Sequence, residues 1–138
     1  MIYVTRPFVH VDRCSSAWLI RRFIDPNAEF IFADEPQLLE NAVPFDIIGA
    51  NWGHRNGKCT FEVLLDLHDI KDPILSQIGE IIHGADIIED MDSALESPGI
   101  DLAFRAIRLS TASDAEAIDR GCQFMDGLYT AIKEGYRR

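Results

Sequence analysis

Ile2-Tyr3-Val4-Thr5-Arg6-Pro7-Phe8-Val9-His10-Val11-Asp12-Arg13 opens the chain, and its reading decides the fold. Ile2–Thr5 is β-branched and aromatic, the composition of a short buried strand. Pro7, which has no N–H to give a ladder, stops it. Asp12 is then expected to cap a helix running to about Ile24. Trp18, Leu19, Arg22 and Phe23 fall at helical spacing, and Asp25-Pro26-Asn27 is the stop signal. Glu-Phe-Ile-Phe-Ala at 29–33 repeats the strand composition, a short helix is expected over 36–41, and 45–48 reads as a third strand ending at Gly49. Right-handed crossovers between strands so separated give a small parallel sheet.

Working outward, 50–58 is a polar loop containing Gly53 and the Asn56-Gly57 turn signal. Thr60 is expected to cap a helix over 61–67. Asp72-Pro73 opens the next, with proline at its first position and Ile74, Ile78, Ile81, Ile82 and Ala85 as its apolar face, fading near Asp90. Ser97-Pro98-Gly99 reads as a turn and 100–109 as helix. Ser113-Asp114-Ala115-Glu116 offers a capping box for a last helix over 115–133. The expected fold is α/β and mostly helical: a βαβαβ N-terminal half with a three-stranded parallel sheet, packed with a helical C-terminal half. Residues 1–138 form a single domain in this reading, a length that supports one core.

A net charge of -10 sets the chain against nucleic acid phosphates and anionic membranes, so neither is an expected partner. No apolar stretch is long enough to span a bilayer, and Met1-Ile2-Tyr3-Val4-Thr5-Arg6-Pro7 lacks the pattern of a signal peptide. Cys14, Cys59 and Cys122 are odd in number and widely spaced, with no C-x-x-C. Reduced thiols in the cytoplasm are the simplest account.

Four groups of residues could carry chemistry. Arg6 and Arg13 flank the exit of the first strand, where α/β proteins place ligands, and guanidinium groups match a small oxyanion. The competing reading is that Asp12 caps its helix and pairs with an arginine. His54 lies in a glycine-bearing loop before a helix, a position suited to a ligand or an acid–base group. Cys59 adjoins that helix N-terminus, where thiol pKa values tend to fall, although cysteine is also among the most buried residue types. Glu80, His83, Asp86 and Asp90 follow one another on one side of the helix after Pro73. Such a row can supply metal ligands beside a loop residue such as His54, or simply face solvent. His54, His83 and Asp86 are thus the candidate ligands of a divalent metal ion. Asp12, Trp18, Cys59 and Glu62 are candidate supporting residues. With parallel strands, His54 and Asp86 are expected to share one pocket with the cluster of Arg6, Asp12 and Arg13. His68, near a helix C-terminus, is explained by the helix dipole. No phosphate-binding glycine loop, His-Glu-x-x-His or Gly-x-Ser-x-Gly occurs.

Val4-Thr5-Arg6-Pro7, Val11-Asp12-Arg13, the run from Trp18 to Pro26 and Ala28-Glu29-Phe30 together resemble the opening of the ChrB C-terminal domain family. Pro44-Phe45-Asp46, Gly53-His54-Arg55, Cys59-Thr60-Phe61-Glu62 and Gly84-Ala85-Asp86 continue the resemblance in order. Pro98-Gly99 and Gly127-Leu128-Tyr129 extend it weakly. It implies a role in bacterial chromate resistance, beside an efflux transporter, as a regulator or accessory protein. Longer members carry an N-terminal domain and some relatives a sulfurtransferase-like one, so a stand-alone version is expected here. Two positions depart from the family pattern. A Cys-Pro pair is replaced by Ser16-Ala17, and an acidic residue before the loop histidine is Asn51. The resemblance and the residues together support three expectations of function. The first is a sensor or accessory domain binding a small oxyanion or a metal ion. The second is a metal-dependent hydrolase or thiol-based chromate reductase, and the third is an acidic domain that docks another protein of such a system.

Overall fold

The computed structural model describes residues 1–135. Strand β1 (Ile2–Thr5) lies at the centre of a three-stranded sheet, flanked by β2 (Glu29–Phe32) and β3 (Val43–Pro44), both parallel to it. Ile2 pairs with Glu29 and Thr5 with Phe32, while Tyr3 and Val4 pair with Val43 and Pro44. The third strand is therefore displaced from the expected 45–48. Phe45 still donates to the Val4 carbonyl at 3.0 Å, but Asp46 has φ 52°, a left-handed conformation that turns the chain out of the sheet. Aspartate tolerates that region better than most side chains, and the extended run ends there.

Helix α1 (Val11–Leu19) comes after β1 and is the most buried element, with Trp18, Leu19, Cys14 and even Asp12 almost fully enclosed. Its N-cap is His10, not Asp12. The chain continues as a single π-turn over Ile20–Ile24, closed by Asp25 N–H donating to the Ile20 carbonyl at 2.7 Å. One extra residue in that turn shifts the angle at which the chain leaves the helix. Arg22 consequently lies over the rings of Trp18, Phe23 and Tyr129. The expected helix over 36–41 is one 3₁₀ turn, Pro36–Leu38.

After the loop, all regular structure among the described residues is helical: α2 (Thr60–Leu67), α3 (Pro73–Asp86), α4 (Ser97–Ser110) and α5 (Asp114–Lys133). Asp72 caps α3 by accepting from Ile74 N–H at 2.8 Å, with Pro73 in the first turn as expected. The helix ends at Asp86 rather than Asp90, and a 3₁₀ segment, Ile88–Ser93, takes over. Gly84 sits where α4 begins. A Cβ there would lie 2.4 Å from Ser97 Oγ, so the missing side chain is what lets the two helices touch. Ser97 Oγ in turn donates to the Ile81 carbonyl at 2.8 Å. Ser97-Pro98-Gly99 is the first turn of α4, not a free turn, because a proline there forfeits only an N–H that has no partner within the helix. Ser113 caps α5 by accepting from Glu116 N–H. The core lies between α1 and the inner faces of α2, α3 and α5, around Trp18, Phe61, Leu64, Ile78 and Met125.

Candidate functional site

Thr5 ends β1 and Pro44 ends β3, so the loops before α1 and α2 leave the same edge of the sheet. Asp12, in the first turn of α1, points across that edge to the start of α2. Its Oδ2 accepts from Thr60 N–H at 2.9 Å and its Oδ1 from Phe61 N–H at 3.0 Å. Asp12 is thus a cap, but of the neighbouring helix. The start of α2 is fully accounted for. Glu62 Oε1 accepts from Cys59 N–H at 3.1 Å, and Cys59 Sγ faces Glu62 N–H as the other half of a capping box. Four orphan N–H groups therefore have partners. Thr60, expected as the N-cap, instead donates its hydroxyl to Asp46 Oδ1 at 2.7 Å.

His54 closes the site from the loop. Its Nε2 lies 2.8 Å from Asp12 Oδ2, 3.0 Å from Asp86 Oδ2 and 3.7 Å from Asp46 Oδ1. The Asp12 side chain is 1% exposed, whereas His54 is 47% exposed, so the imidazole is the door to a carboxylate held in the interior. The loop's placement depends on Gly53. A Cβ there would stand 2.6 Å from the Ile47 carbonyl oxygen and 3.3 Å from that of Ala50, both backbone atoms that cannot rotate away. Asp46 N–H donating to the Trp52 carbonyl at 2.8 Å ties the same loop to the end of the sheet. Gly53→Ala is expected to displace His54 and to cost about 1–3 kcal/mol of stability, as overpacking does. Urea denaturation together with the histidine ring shifts in NMR measures both, and unchanged His54 resonances would refute the displacement.

Arg13 is committed to this structure. Its Nε donates to Asp46 Oδ2 at 3.1 Å, its Nη2 to the Asp46 carbonyl at 3.0 Å, and its Nη1 to the carbonyls of Arg6 and Pro7. Among the described residues Arg6 joins through that carbonyl, and the residue is exposed. Arg13, Asp46, His54 and Asp86, with Ile47 and Ile48, line a cavity of about 350 Å³. The structure thus brings together His54, Asp86, Asp12 and Arg13. It separates His83, whose Nδ1 lies 2.5 Å from Glu62 Oε1 and whose Nε2 lies 2.7 Å from Asp90 Oδ2. Asp46 is a site residue that the sequence reading did not single out. The available signal was an aspartate directly after a strand, at the edge where ligands gather. Trp18 lies further along α1, in the core, its indole N–H donating to Asp126 at 2.8 Å and its ring stacked 8° from parallel with Phe61 of α2.

The charges are set by this geometry. Burial pushes the Asp12 carboxyl up, but the hydrogen bonds from His54, Phe61 and Thr60 outweigh it and hold it below the ordinary value. Asp46 is raised, by burial and then by the Asp12 charge, and these win over the opposing pull of Arg13. The hydrogen bond to Asp12, then that to Asp86, raises His54 from 6.5 to about 10, so it is an imidazolium at neutral pH. Because the folded value lies above the ordinary one, the stability from these pairs is full below 6.5 and is lost as pH rises through about 10. An NMR titration of the ion-free protein is expected to show the His54 ring charged through neutrality. A midpoint near 6.5 would show that it does not engage the carboxylates.

All three cysteines are free. Burial raises the Cys14, Cys59 and Cys122 thiols, Cys122 to about 11, so the fall expected for Cys59 at a helix N-terminus is reversed by its enclosure. No helix among the described residues is long and apolar enough to cross a membrane.

Fold and site define a small, mostly helical α/β domain with a buried carboxylate and an imidazole at the carboxyl edge of parallel strands. The family model described as ChrB, C-terminal domain, matches residues 3–132, and the chain belongs to that family. It is similar to Protein ChrB of Cupriavidus metallidurans (strain ATCC 43123 / DSM 2839 / NBRC 102507 / CH34), at 33% identity over 138 residues. The match covers 99% of this chain and 42% of the relative, so the chain spans less than half of that protein's length. No solved structure matches it.

Proposed function

We propose that this domain is an accessory or sensing component of a chromate-resistance system and that its ligand is a divalent metal ion, held by Asp12, Asp46 and His54 with Asp86 at the rim. The observation that carries the reading is that one ligand atom from each of Asp12, Asp46 and His54 lies within 4.8 Å of the others. Carboxylate oxygens with one imidazole suit Mn²⁺ or Zn²⁺. In the ion-free state the His54 proton holds the carboxylates together, and a metal ion would replace that proton. Family membership supports the chromate-resistance setting, and three free thiols suit a reducing compartment such as the cytoplasm.

The oxyanion reading has less support. Of the two arginines proposed for it, Arg13 is spent on Asp46 and on backbone carbonyls, and Arg6 is exposed and enters the cluster through its backbone carbonyl. Chromate would also face three carboxylates. The test is titration calorimetry of the whole chain with Mn²⁺ and, separately, with sodium chromate near neutral pH. Mn²⁺ is expected to bind at one site, more tightly as pH rises because the His54 proton is displaced. His54→Ala should weaken it at least about tenfold with the fold retained. Binding of chromate without Mn²⁺ would reverse the assignment.

A further inference from the structure

Cys59, Glu62 and His83 form a second constellation on the other flank of the first turn of α2. One ligand atom from each lies within 4.8 Å of the others. We infer that these three side chains form a distinct binding site for a thiophilic divalent cation of the Zn²⁺ type, with Asp90 orienting His83. This site shares no ligand with the one at Asp12 and does not depend on that reading.

Three observations support it. The donor set is a thiol, an imidazole and a carboxylate, the mixture that selects Zn²⁺ or Co²⁺ over Mg²⁺ or Mn²⁺. His83 is held at both ring nitrogens, Nδ1 facing Glu62 and Nε2 lying 2.7 Å from Asp90 Oδ2. A metal-bound histidine characteristically gives its second N–H to a carboxylate, which fixes the ring and leaves the other nitrogen for the metal. Asp90 is in place for that role only because α3 stops at Asp86 and the 3₁₀ segment doubles back. Finally, a cavity of about 350 Å³ lined by Glu62, Glu80, His83 and Ser93 opens on the cluster. It gives an ion a way in and leaves a coordination position for water or a second ligand. Cys59 itself is fully buried behind Glu62. Binding forms bonds from the metal to Sγ, to a Glu62 oxygen and to Nδ1. The thiol proton and any proton on Nδ1 pass to water, with no change of oxidation state.

Co²⁺ added to the whole chain under reducing conditions tests this, because a cobalt–thiolate bond gives a charge-transfer absorption that oxygen and nitrogen ligands do not. The absorption is expected in the native protein and in His54→Ala, and Zn²⁺ should abolish it by displacement. It should be lost in Cys59→Ser and His83→Ala. Asp90→Asn, at a half-exposed side chain, leaves the core untouched and should weaken binding about 10–100-fold while the band remains at saturation. Absence of a thiolate band in the native protein would overturn the site. So would a band that survives Cys59→Ser, since the thiolate would then be Cys14 or Cys122. Loss of Mn²⁺ binding in His54→Ala with the cobalt band intact would separate the two sites, and either can fail without the other.

Discussion

Asp12→Ala is expected to destabilise the domain by about 3–5 kcal/mol, the cost of removing one partner from a buried charged network. The carboxylate is 1% exposed and takes hydrogen bonds from Thr60 N–H, Phe61 N–H and His54 Nε2. Alanine leaves two amide groups of α2 buried and unpaired and removes the counter-charge of an imidazolium. A loss of that size is a large share of the ~5–15 kcal/mol that holds a domain folded. His54→Ala should cost less, because that side chain is about half exposed and the buried Asp12 carboxylate it leaves keeps both of its amide donors. The pair of variants therefore separates holding the fold from holding the proposed ion: Asp12 is expected to do both, His54 chiefly the second. Guanidinium denaturation of both variants in the presence of a chelator reads the difference. An Asp12→Ala variant within about 1 kcal/mol of the native protein would mean that water or the chain re-pairs the α2 amides.

Trp18→Ala should be of similar size, about 3–5 kcal/mol, through the cavity it leaves. The indole is 2% exposed and packs against α2, α5 and the π-turn that continues its own helix. It stacks on Phe61 of α2 with ring centroids 6.4 Å apart, meets Phe23 edge-on at 5.5 Å, and lies 6.3 Å from Tyr129 of α5. Its N–H donates to Asp126 at 2.8 Å, and the Arg22 guanidinium bonds the same oxygen at 2.9 Å. Asp126 is largely exposed and keeps Arg22 when the indole goes, so packing rather than the hydrogen bond dominates. Trp18→Phe, which keeps most of the ring but not the donor, should accordingly cost far less than alanine. If the two variants prove equally unstable in the same denaturation assay, the indole hydrogen bond is the stronger contribution.

Residue type was enough to find the elements that are determined locally. Ile2–Thr5 and the run beginning at Glu29 are strands because β-branched and aromatic side chains suit a half-buried pleated surface, and the structure places both in a parallel sheet. Asp72-Pro73 marked the start of α3 because a cap and a proline act on their own backbone. Ends were harder to read. Phe45 has the composition of a strand, but whether the run continues depends on Asp46 turning over, and Asp46 turns where it can meet Arg13 and Thr60. Pro98-Gly99 punctuates a sequence, yet α4 runs through it once Ser97 is seated against Gly84.

The site divides in the same way. His54, Asp86, Asp12 and Arg13 stood out by their types and by the topological edge they share, since parallel strands deliver the loops at their carboxyl ends to one side. His83 could not be assigned to its partners. Its spacing from Asp86 puts the two near one another on α3, but which of them meets the His54 loop and which meets Glu62 depends on how α3 lies against α2. Asp12 shows the limit most clearly. By its sequence it is a cap for the helix it begins, and a local hydrogen bond is what a local pattern can announce. In the folded chain its two oxygens are used by Thr60 and Phe61, 48 and 49 residues away. Sequence determined that a carboxylate would stand at a helix start beside the sheet edge. Only tertiary packing decided which helix it caps and which histidine it charges, because those partners are brought within reach by the burial of α1 between its neighbours and by nothing in the adjacent chain.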